Sequence, residues 1–292
     1  METSDQKQLV RRYEILMAAV ISARATSFVF NKMLLEDMSP FNLLAMRFLI
    51  AFCLLAVIFH RELRKVSLRT VLSGVAVGTM FFITMSLEMI ALRQAASSLV
   101  SLLENCAIIF VPIFEVVLFR KKLGKTAILS TAVAMLGVFL LALQQGDLRG
   151  GFTLGLLSGV SYALAIITTD RLTSGSESTL SIGIIQVGTM GTLALVAMLL
   201  FEQPSLPGTG EQWLMLSVLI LVCTGFGFTL QPVAQKHLTA ERAGLFCALS
   251  PAIAALLGVV VLRERMGVSG WIGLVLILSS ILMPHLMSAK HE

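Results

Sequence analysis

The chain has 292 residues, of which 57% are hydrophobic and 13% charged, and its formal net charge is +5. A water-soluble domain of this length could not cover so much apolar surface, so the composition excludes the soluble classes of protein. With a mean hydropathy of +0.89, the chain is predicted to be an all-α polytopic membrane protein. The Lys and Arg residues behind its basic pI lie in short loops between apolar runs, where membrane topology accounts for them, and no nucleic-acid partner is expected.

Ten apolar runs long enough to cross a bilayer follow one another along the chain. Most breaks between them hold a basic cluster, Gly or Pro. The first run is expected to act as an uncleaved anchor, because the residues before it are polar. Residues 1–12 form a predicted cytoplasmic segment, 144–150 a linker and 288–292 a cytoplasmic tail. The predicted spans are residues 13–33, 40–59, 68–92, 97–119, 126–143, 151–170, 180–201, 212–235, 241–262 and 268–287.

The loops alternate in charge along the chain. Those on the side of the N terminus hold about three times as many Lys and Arg as those on the other side. This bias predicts that both termini are cytoplasmic and that the protein lies in the inner (plasma) membrane.

The chain also repeats itself. Residues 91–124 align without gaps with residues 234–267 at a constant shift of 143, and residues 23–34 resemble residues 161–172. Each predicted half, 13–143 and 151–287, therefore holds five spans. Because five is odd, the second half enters the membrane in the opposite direction. Inverted repeats of this kind place a substrate site between the halves and permit alternating access, and the duplication makes a monomer sufficient while leaving a dimer compatible.

The segment "ERAGLFCALSPAIAALLGVVVLRERMG" has a helix rich in small residues, a Ser-Pro step and a closing Leu-x-Glu-Arg loop, with Pro251, Glu264 and Arg265 at the key positions. It resembles the ninth span and following loop of EamA-type transporters of the drug/metabolite transporter superfamily. The segment "SFVFNKMLLEDMSPFNLLAMRFLIA" is similar to the family's passage from first to second span. The matching positions there are Lys32, Pro40 and Arg47.

The resemblance covers nearly the whole chain and implies export or uptake of small metabolites, often amino acids. Three positions depart from the family pattern. Arg24 stands where the family usually has Trp, although Tyr162 keeps an aromatic ring in the second half. Lys121 and Lys122 replace the Glu-Arg of the first-half loop, and Glu104 lies where many members are uncharged.

Several charged and amide side chains lie inside the predicted spans, where a charge at mid-bilayer costs about 2.5–3.5 kcal/mol. They are therefore expected to face a partner group or a wet cavity. Helical spacing aligns many of them in stripes, such as Arg24, Ser27 and Asn31 at i, i+3 and i+7. The set comprises Arg24, Arg47, Glu88, Glu104, Glu115, Asp170, Gln186, Gln231, Gln235 and Ser250.

Glu104 and Glu115 are eleven residues apart, which is three helical turns plus about 20°, so one continuous helix would place both on one face. Glu115 is expected to anchor the cytoplasmic end through the basic run from Arg120 to Lys122. Glu104 is expected to line the translocation cavity. The structural alternative is an ion pair between Glu104 and Arg24, and Arg47 is expected to have a structural role.

An amino acid carries an ammonium and a carboxylate, and this set of side chains suits both. Arg24 would meet the carboxylate, and Glu104 or Glu88 the ammonium. The same two carboxyl groups are the candidate proton carriers. Aromatic rings and neutral polar groups would complete the site. The candidate substrate-binding residues are Arg24, Asn31, Glu88, Glu104, Tyr162, Phe228, Gln231, Gln235 and Ser250.

Three prolines inside predicted spans, Pro112, Pro232 and Pro251, each free a backbone carbonyl one turn upstream and are candidate hinges. Two small-residue patterns, Gly74-xxx-Gly78 and Gly151-xxx-Gly155-xxx-Gly159, predict close helix contacts.

Signatures of enzymes are absent from the sequence: there is no Walker loop, dinucleotide fingerprint, His-Glu-x-x-His or Gly-x-Ser-x-Gly. The four cysteines lack metal-ligand spacing, so neither a metal nor a cofactor is expected. The expected partners are a small-molecule substrate, the lipid bilayer and protons. Export of amino acids or related zwitterions is the leading hypothesis. The alternatives are a carrier of cationic drugs or cofactor-like metabolites, and a non-transporting membrane scaffold or sensor.

Overall fold

The computed structural model describes residues 4–95, 97–120, 124–142, 151–174, 178–247, 249–261 and 267–288, and the regular elements within these ranges are helical. Several sequence expectations fall outside the described residues. These are the linker at 144–150, the tail after Ser288, the departures at Lys121 and Lys122, and the family positions Glu264 and Arg265.

In the first half, helix starts follow ordinary capping signals. Pro40 opens its helix after Ser39, at a position where the missing proline N–H leaves no bond unmade. The Ser67 hydroxyl accepts a hydrogen bond from the backbone N–H of Thr70 and caps the next long helix. The helices are α1 (Ser4–Ala25), α2 (Ser27–Leu34), α3 (Pro40–Ile58), α4 (His60–Leu63), α5 (Leu68–Gln94), α6 (Ser97–Glu104), α7 (Ala107–Phe119) and α8 (Lys125–Ala142).

In the second half, one segment departs from α-helical geometry. It is a π-helix, in which each backbone N–H bonds five residues back and the side chains rotate accordingly. The elements are α9 (Phe152–Thr173), α10 (Thr179–Phe201), α11 (Gly210–Val218), π1 (Leu219–Phe228), α12 (Thr229–Gln235), α13 (Ala240–Cys247), α14 (Leu249–Val261) and α15 (Val268–Ser288).

Seven helical segments of the described chain are long and apolar enough to cross a membrane. The other three predicted spans coincide with α8, with α13 and α14, and with α15, which contain shorter apolar stretches. The all-helical membrane class is therefore confirmed, whereas the number of ten spans stays a prediction. The seven segments are Gln8–Leu34, Pro40–Ile58, Leu68–Gln94, Leu99–Phe119, Phe152–Thr173, Thr179–Phe201 and Gly210–Gln235.

The fourth predicted span is interrupted. α6 ends at Glu104, and the chain turns at Asn105 and Cys106 before α7 begins. The continuous helix that would place Glu104 and Glu115 on one face is therefore interrupted. This break lies upstream of the candidate hinge Pro112, which lies within α7, and the candidate hinge Pro251 is the third residue of α14.

The third proline, Pro232, lies within α12, just after the π-helix. The backbone carbonyl that this proline frees belongs to Phe228, the last residue of π1. The π-helix therefore ends at the same residue, Phe228, whose backbone carbonyl Pro232 leaves without a helical hydrogen bond.

Helices of the two halves interleave. α10 packs against α3 and α5, and α9 packs against α5 and α6. The contact between the halves is close at Gly159, where a β-carbon would lie 2.5 Å from the carbonyl oxygen of Leu103. Within the second half, a β-carbon at Gly183 would overlap the carbonyl oxygen of Thr229. The predicted Gly74-xxx-Gly78 contact is confirmed, because both glycines abut α10. The core lies where α1, α3, α5 and α6 meet α9, π1, α12 and α13.

Candidate functional site

A network of charged and polar side chains is buried where the two halves meet. Arg24, Arg47, Glu88 and Glu104 are each no more than 6% exposed. They come from α1, α3, α5 and α6, and the neutral side chains that contact them come partly from α9, π1 and α12. Because buried charge is costly in a membrane protein, this cluster is the candidate functional site.

Arg24 joins the first half to the second. Its Nη1 donates hydrogen bonds to the Tyr162 hydroxyl, at 2.8 Å, and to Oε1 of Gln231. Its guanidinium carbon lies 4.0 Å from the ring centre of Phe228, 5.0 Å from that of Tyr162 and 5.4 Å from that of Phe81. These distances are within the range of cation–π attraction. Arg24 is therefore held by aromatic rings as well as by hydrogen bonds.

Arg47 occupies a second position beside the same ring. Its Nε donates to the Thr224 hydroxyl at 2.6 Å, and its Nη1 donates to Oδ1 of Asn31 at 3.3 Å. Its guanidinium carbon lies 5.6 Å from the ring centre of Phe228. Arg47 thus ties α3 to neighbouring helices, as a structural role requires, and it also places a second cation in the cluster.

Asn31 connects the cations to the acids. While its Oδ1 accepts from Arg47, its Nδ2 donates to Oε1 of Glu88 at 3.4 Å. Glu88 and Glu104 are neighbours in the cluster and interact electrostatically. An ionised carboxylate accepts hydrogen bonds but cannot donate one, so a bond between these two groups requires a proton on one of them.

Positions related by the internal repeat meet in this cluster. Tyr162 corresponds to Arg24 and hydrogen-bonds to it, and Gln231 corresponds to Glu88 and also contacts Arg24. Cys247, which corresponds to Glu104, donates through its Sγ to the Tyr162 hydroxyl at 3.3 Å. Side chains from equivalent positions of the two halves therefore meet in one cluster.

Some buried polar atoms of the cluster have no hydrogen-bond partner among the described residues. An unsatisfied buried group of this kind costs about 1–3 kcal/mol. Cationic donors and an anionic acceptor are both represented, so a ligand with groups of both signs would satisfy them together. The atoms are Nε of Arg24, Nη2 of Arg47, Oε2 of Glu104 and Nε2 of Gln231.

Two predicted site residues lie at the edge of this network. Gln235 is one turn beyond Gln231 on α12, is 1% exposed, and has no hydrogen-bond partner for its amide within the described chain. Ser250 is buried on α14, which packs against α1 and α6. No described hydrogen bond joins either residue to the charged groups.

Phe81 and Cys247 were missing from the predicted site. Phe81 lies seven residues before Glu88 on α5, which is two helical turns, so an aromatic residue on the face of the acid was a usable signal. Cys247 could be found through its correspondence to Glu104. Thr224, the hydroxyl partner of Arg47, lies on the polar stripe of the eighth predicted span.

Glu115 belongs to a different place. Its side chain is 1% exposed, and an Oε1 atom lies 3.9 Å from Nη2 of Arg171 on α9. Arg171 in turn lies over the ring of Phe119, 3.7 Å from its centre. This arrangement fits the predicted anchoring role, with Arg171 as a partner that the sequence did not indicate. Arg24 likewise bonds to Tyr162 and Gln231 rather than pairing directly with Glu104.

Contacts between the halves flank the cluster at both ends. At one end, the Glu202 carboxylate accepts hydrogen bonds from the backbone N–H groups of Phe41 and Asn42, at 3.2 and 2.8 Å, and caps the start of α3. At the other end, Nε of Arg242 lies 2.7 Å from a carboxylate oxygen of Glu14. The cluster thus lies between two sets of polar contacts that bridge the halves.

At this second end the ring of His237 lies against that of Tyr13, tilted by 45°, with 4.4 Å between ring centres. Partial burial and the neighbouring Lys236 lower the pKa of His237. A neutral ring is thereby favoured against Tyr13.

Comparisons with known proteins agree with this architecture. The model of the EamA-like transporter family matches residues 12–143 and again residues 149–284. A relative from Archaeoglobus fulgidus, described as an uncharacterized transporter, is 25% identical over 201 residues, which are 69% of this chain and 72% of the relative. A protein of known crystal structure shares the fold, with a TM-score of 0.75 at 16% identity over 98% of this chain and 99% of that one. The chain belongs to the EamA-like transporter family.

Proposed function

We propose that the protein is a secondary transporter that exports amino acids or related small zwitterions by alternating access, in exchange for protons. In this proposal ten spans form two inverted five-helix repeats in the inner (plasma) membrane, with both termini cytoplasmic. The observation that carries it is the buried cluster between the halves, in which Arg24 and Arg47 face Glu88 and Glu104. A zwitterion offers one group to each sign of charge.

The unpartnered atoms define how the substrate would lie. Nε of Arg24 and Nη2 of Arg47 are free to donate to a carboxylate. Oε2 of Glu104 is free to accept from an ammonium, with Glu88 beside it. Nε2 of Gln231 supplies a neutral donor, and the Phe228 ring, which lies beside both guanidinium groups, limits how far they can move.

Coupling to protons follows from the pair of acids. When the pair holds its proton, one carboxyl donates to the other. A substrate ammonium that approaches Glu104 would replace this proton as the donor, so proton and substrate compete for the same two groups. Competition of this type gives exchange: the proton enters as the substrate leaves. The charged side chains that act on the pair are Arg24 and Arg47, and the ionisable side chains on which the pair acts are Tyr162, Cys223 and Cys247.

Access would alternate through the contacts at the two ends. Opening one side would separate Glu14 from Arg242, and opening the other would release α3 from Glu202. Pro112, Pro232 and Pro251, together with the π-helix, are the proposed points of bending, because a missing or shifted backbone bond lowers the resistance of a helix to bending. Gln235 and Ser250 would line the path beyond the cluster.

The test is uptake of a labelled amino-acid mixture by proteoliposomes, with and without an imposed pH gradient. Accumulation that follows the gradient is expected. Equilibration that ignores pH would remove the proton from the proposal and leave a facilitator. No flux for any tested solute class would instead support a scaffold or sensor.

A second candidate, a carrier of organic cations, is favoured by one observation. Three aromatic rings surround the Arg24 guanidinium, and such rings, with acids nearby, also bind quaternary ammonium groups. Competition by tetraethylammonium without competition by amino acids would select this candidate. Competition by amino acids alone would reject it.

A further inference from the structure

We infer that the loop between α3 and α5 is a binding site for the headgroup of anionic phospholipids. This loop, residues 59–67, and the first turn of α5 carry Arg61, Arg64, Lys65 and Arg69 within nine residues, with Glu62 as the only acid. All four basic side chains are exposed. Within the described chain they make no ion pair or side-chain hydrogen bond.

The position of the loop relative to the membrane follows from its neighbours. It joins two candidate spans, Pro40–Ile58 and Leu68–Gln94. The apolar side chains at its edges point outward: Val57 is 74% exposed and Leu68 73%. Only lipid can cover such side chains in a membrane protein, so the hydrocarbon boundary passes within a turn of each. The basic side chains consequently lie at the depth of the phosphate groups.

The opposite end of α3 has the reverse character. The segment between α2 and α3 carries Glu36 and Asp37, both exposed, and no Lys or Arg. The two ends of one hairpin thus differ in sign. A lipid whose headgroup has a net negative charge is attracted to the basic end, whereas a phosphatidylcholine headgroup, which has no net charge, is not attracted by the excess of positive charge there.

The occupant is inferred to be a phospholipid rather than a soluble anion because the apolar and basic groups are adjacent. A phospholipid places acyl chains against Val57 and Leu68 and its phosphate against Arg64 and Lys65. Inorganic phosphate would use only the second contact. Salt screens the attraction between the phosphate and the basic side chains but not the contact between the acyl chains and the apolar side chains. Lipid binding is therefore expected to weaken with salt without disappearing.

The experiment is native mass spectrometry of the full chain in detergent, titrated with dioleoyl phosphatidylglycerol or dioleoyl phosphatidylcholine. We expect preferential binding of the anionic lipid. The variant R64Q/K65Q should lose about fivefold of that preference for each charge removed. The matched control is R11Q/R12Q, which removes two exposed arginines of α1 from the same predicted side.

Each outcome decides the proposal. A loss in R64Q/K65Q that clearly exceeds the loss in R11Q/R12Q supports a site on the loop. Equal losses would show that only overall charge matters and would overturn it, as would equal binding of the two lipids by the wild type. Thermal unfolding in phosphatidylcholine alone confirms that the variants are folded, and none of these results depends on which solute is transported.

Discussion

The two halves of the molecule contribute different chemistry at equivalent positions. The first half supplies Glu88 and Glu104 where the second supplies Gln231 and Cys247, and it supplies Arg24 where the second supplies Tyr162. All of these side chains enter one hydrogen-bonded cluster. The duplicated fold therefore provides equivalent positions in the two halves, but the charged side chains of the cluster come from the first half. The second half contributes neutral side chains that orient Arg24.

The strongest test of this difference is removal of the first-half acid. Glu104→Gln keeps the shape of the side chain but loses its charge and its exchangeable proton. We expect substrate transport to fall about 10- to 100-fold, because hydrogen bonds to charged groups are worth about 1.5–3 kcal/mol, and dependence on the pH gradient should disappear. Initial rates in proteoliposomes measure both quantities.

The control for that variant is Glu115→Gln, in which a buried acid is lost outside the cluster. It should lower thermal stability through its contact with Arg171 but leave the dependence on pH intact. If both variants lose gradient dependence equally, Glu104 has no special part in coupling.

Moving the charge between the halves would sharpen the comparison. Glu88→Gln makes the first half resemble the second and should reduce transport by a factor similar to that of Glu104→Gln. Adding Gln231→Glu returns a carboxylate to the cluster, beside Arg24, and we expect this double variant to recover about tenfold. Transport rates of the two single variants and the double variant decide the matter. A double variant no better than Glu88→Gln would show that the equivalent positions are not interchangeable.

Close packing within the second half can be disturbed without altering charge, because Gly183 on α10 abuts Thr229 on α12. A β-carbon at Gly183 would overlap a backbone oxygen of α12, and the backbone cannot yield as a side chain can. Gly183→Ala is expected to destabilise the protein by about 1–3 kcal/mol, seen as a lower melting temperature in detergent. Gly210→Ala, at a position open to solvent, is the control, and similar melting temperatures would argue against close packing of α10 and α12.

The smallest effect is expected at the contact between the π-helix of the second half and the side chain of Arg24. A β-carbon at Gly227 in the π-helix would lie 2.7 Å from Cγ of Arg24, so the Arg24 side chain would have to shift. Gly227→Ala should therefore raise the apparent KM by about threefold, an orientation effect of less than 1 kcal/mol, with little change in melting temperature. Gly225→Ala lies in the same π-helix away from Arg24 and serves as control. Equal KM values for both variants would contradict the role given to Gly227.

Much of this arrangement follows from local sequence, and the exceptions have physical causes. The polar stripe of Arg24 and Asn31 could be located because helical spacing fixes which residues share a face. The break after Glu104 could not, since no Gly or Pro occurs at Asn105 and Cys106 to signal it. The π-helix was equally hidden, because its residues are apolar and compatible with an α-helix.

The sequence by itself determined the membrane class, the repeat and the identity of the charged side chains, because hydropathy, spacing and duplication are properties of the chain. Only the tertiary structure decided which of these side chains contact each other. Arg24 bonds to Tyr162 and Gln231 instead of Glu104, and Glu115, predicted to be anchored by the basic run from Arg120 to Lys122, contacts Arg171 on α9. The reason is that these partners lie on helices distant in sequence, and their approach depends on the packing of one half against the other.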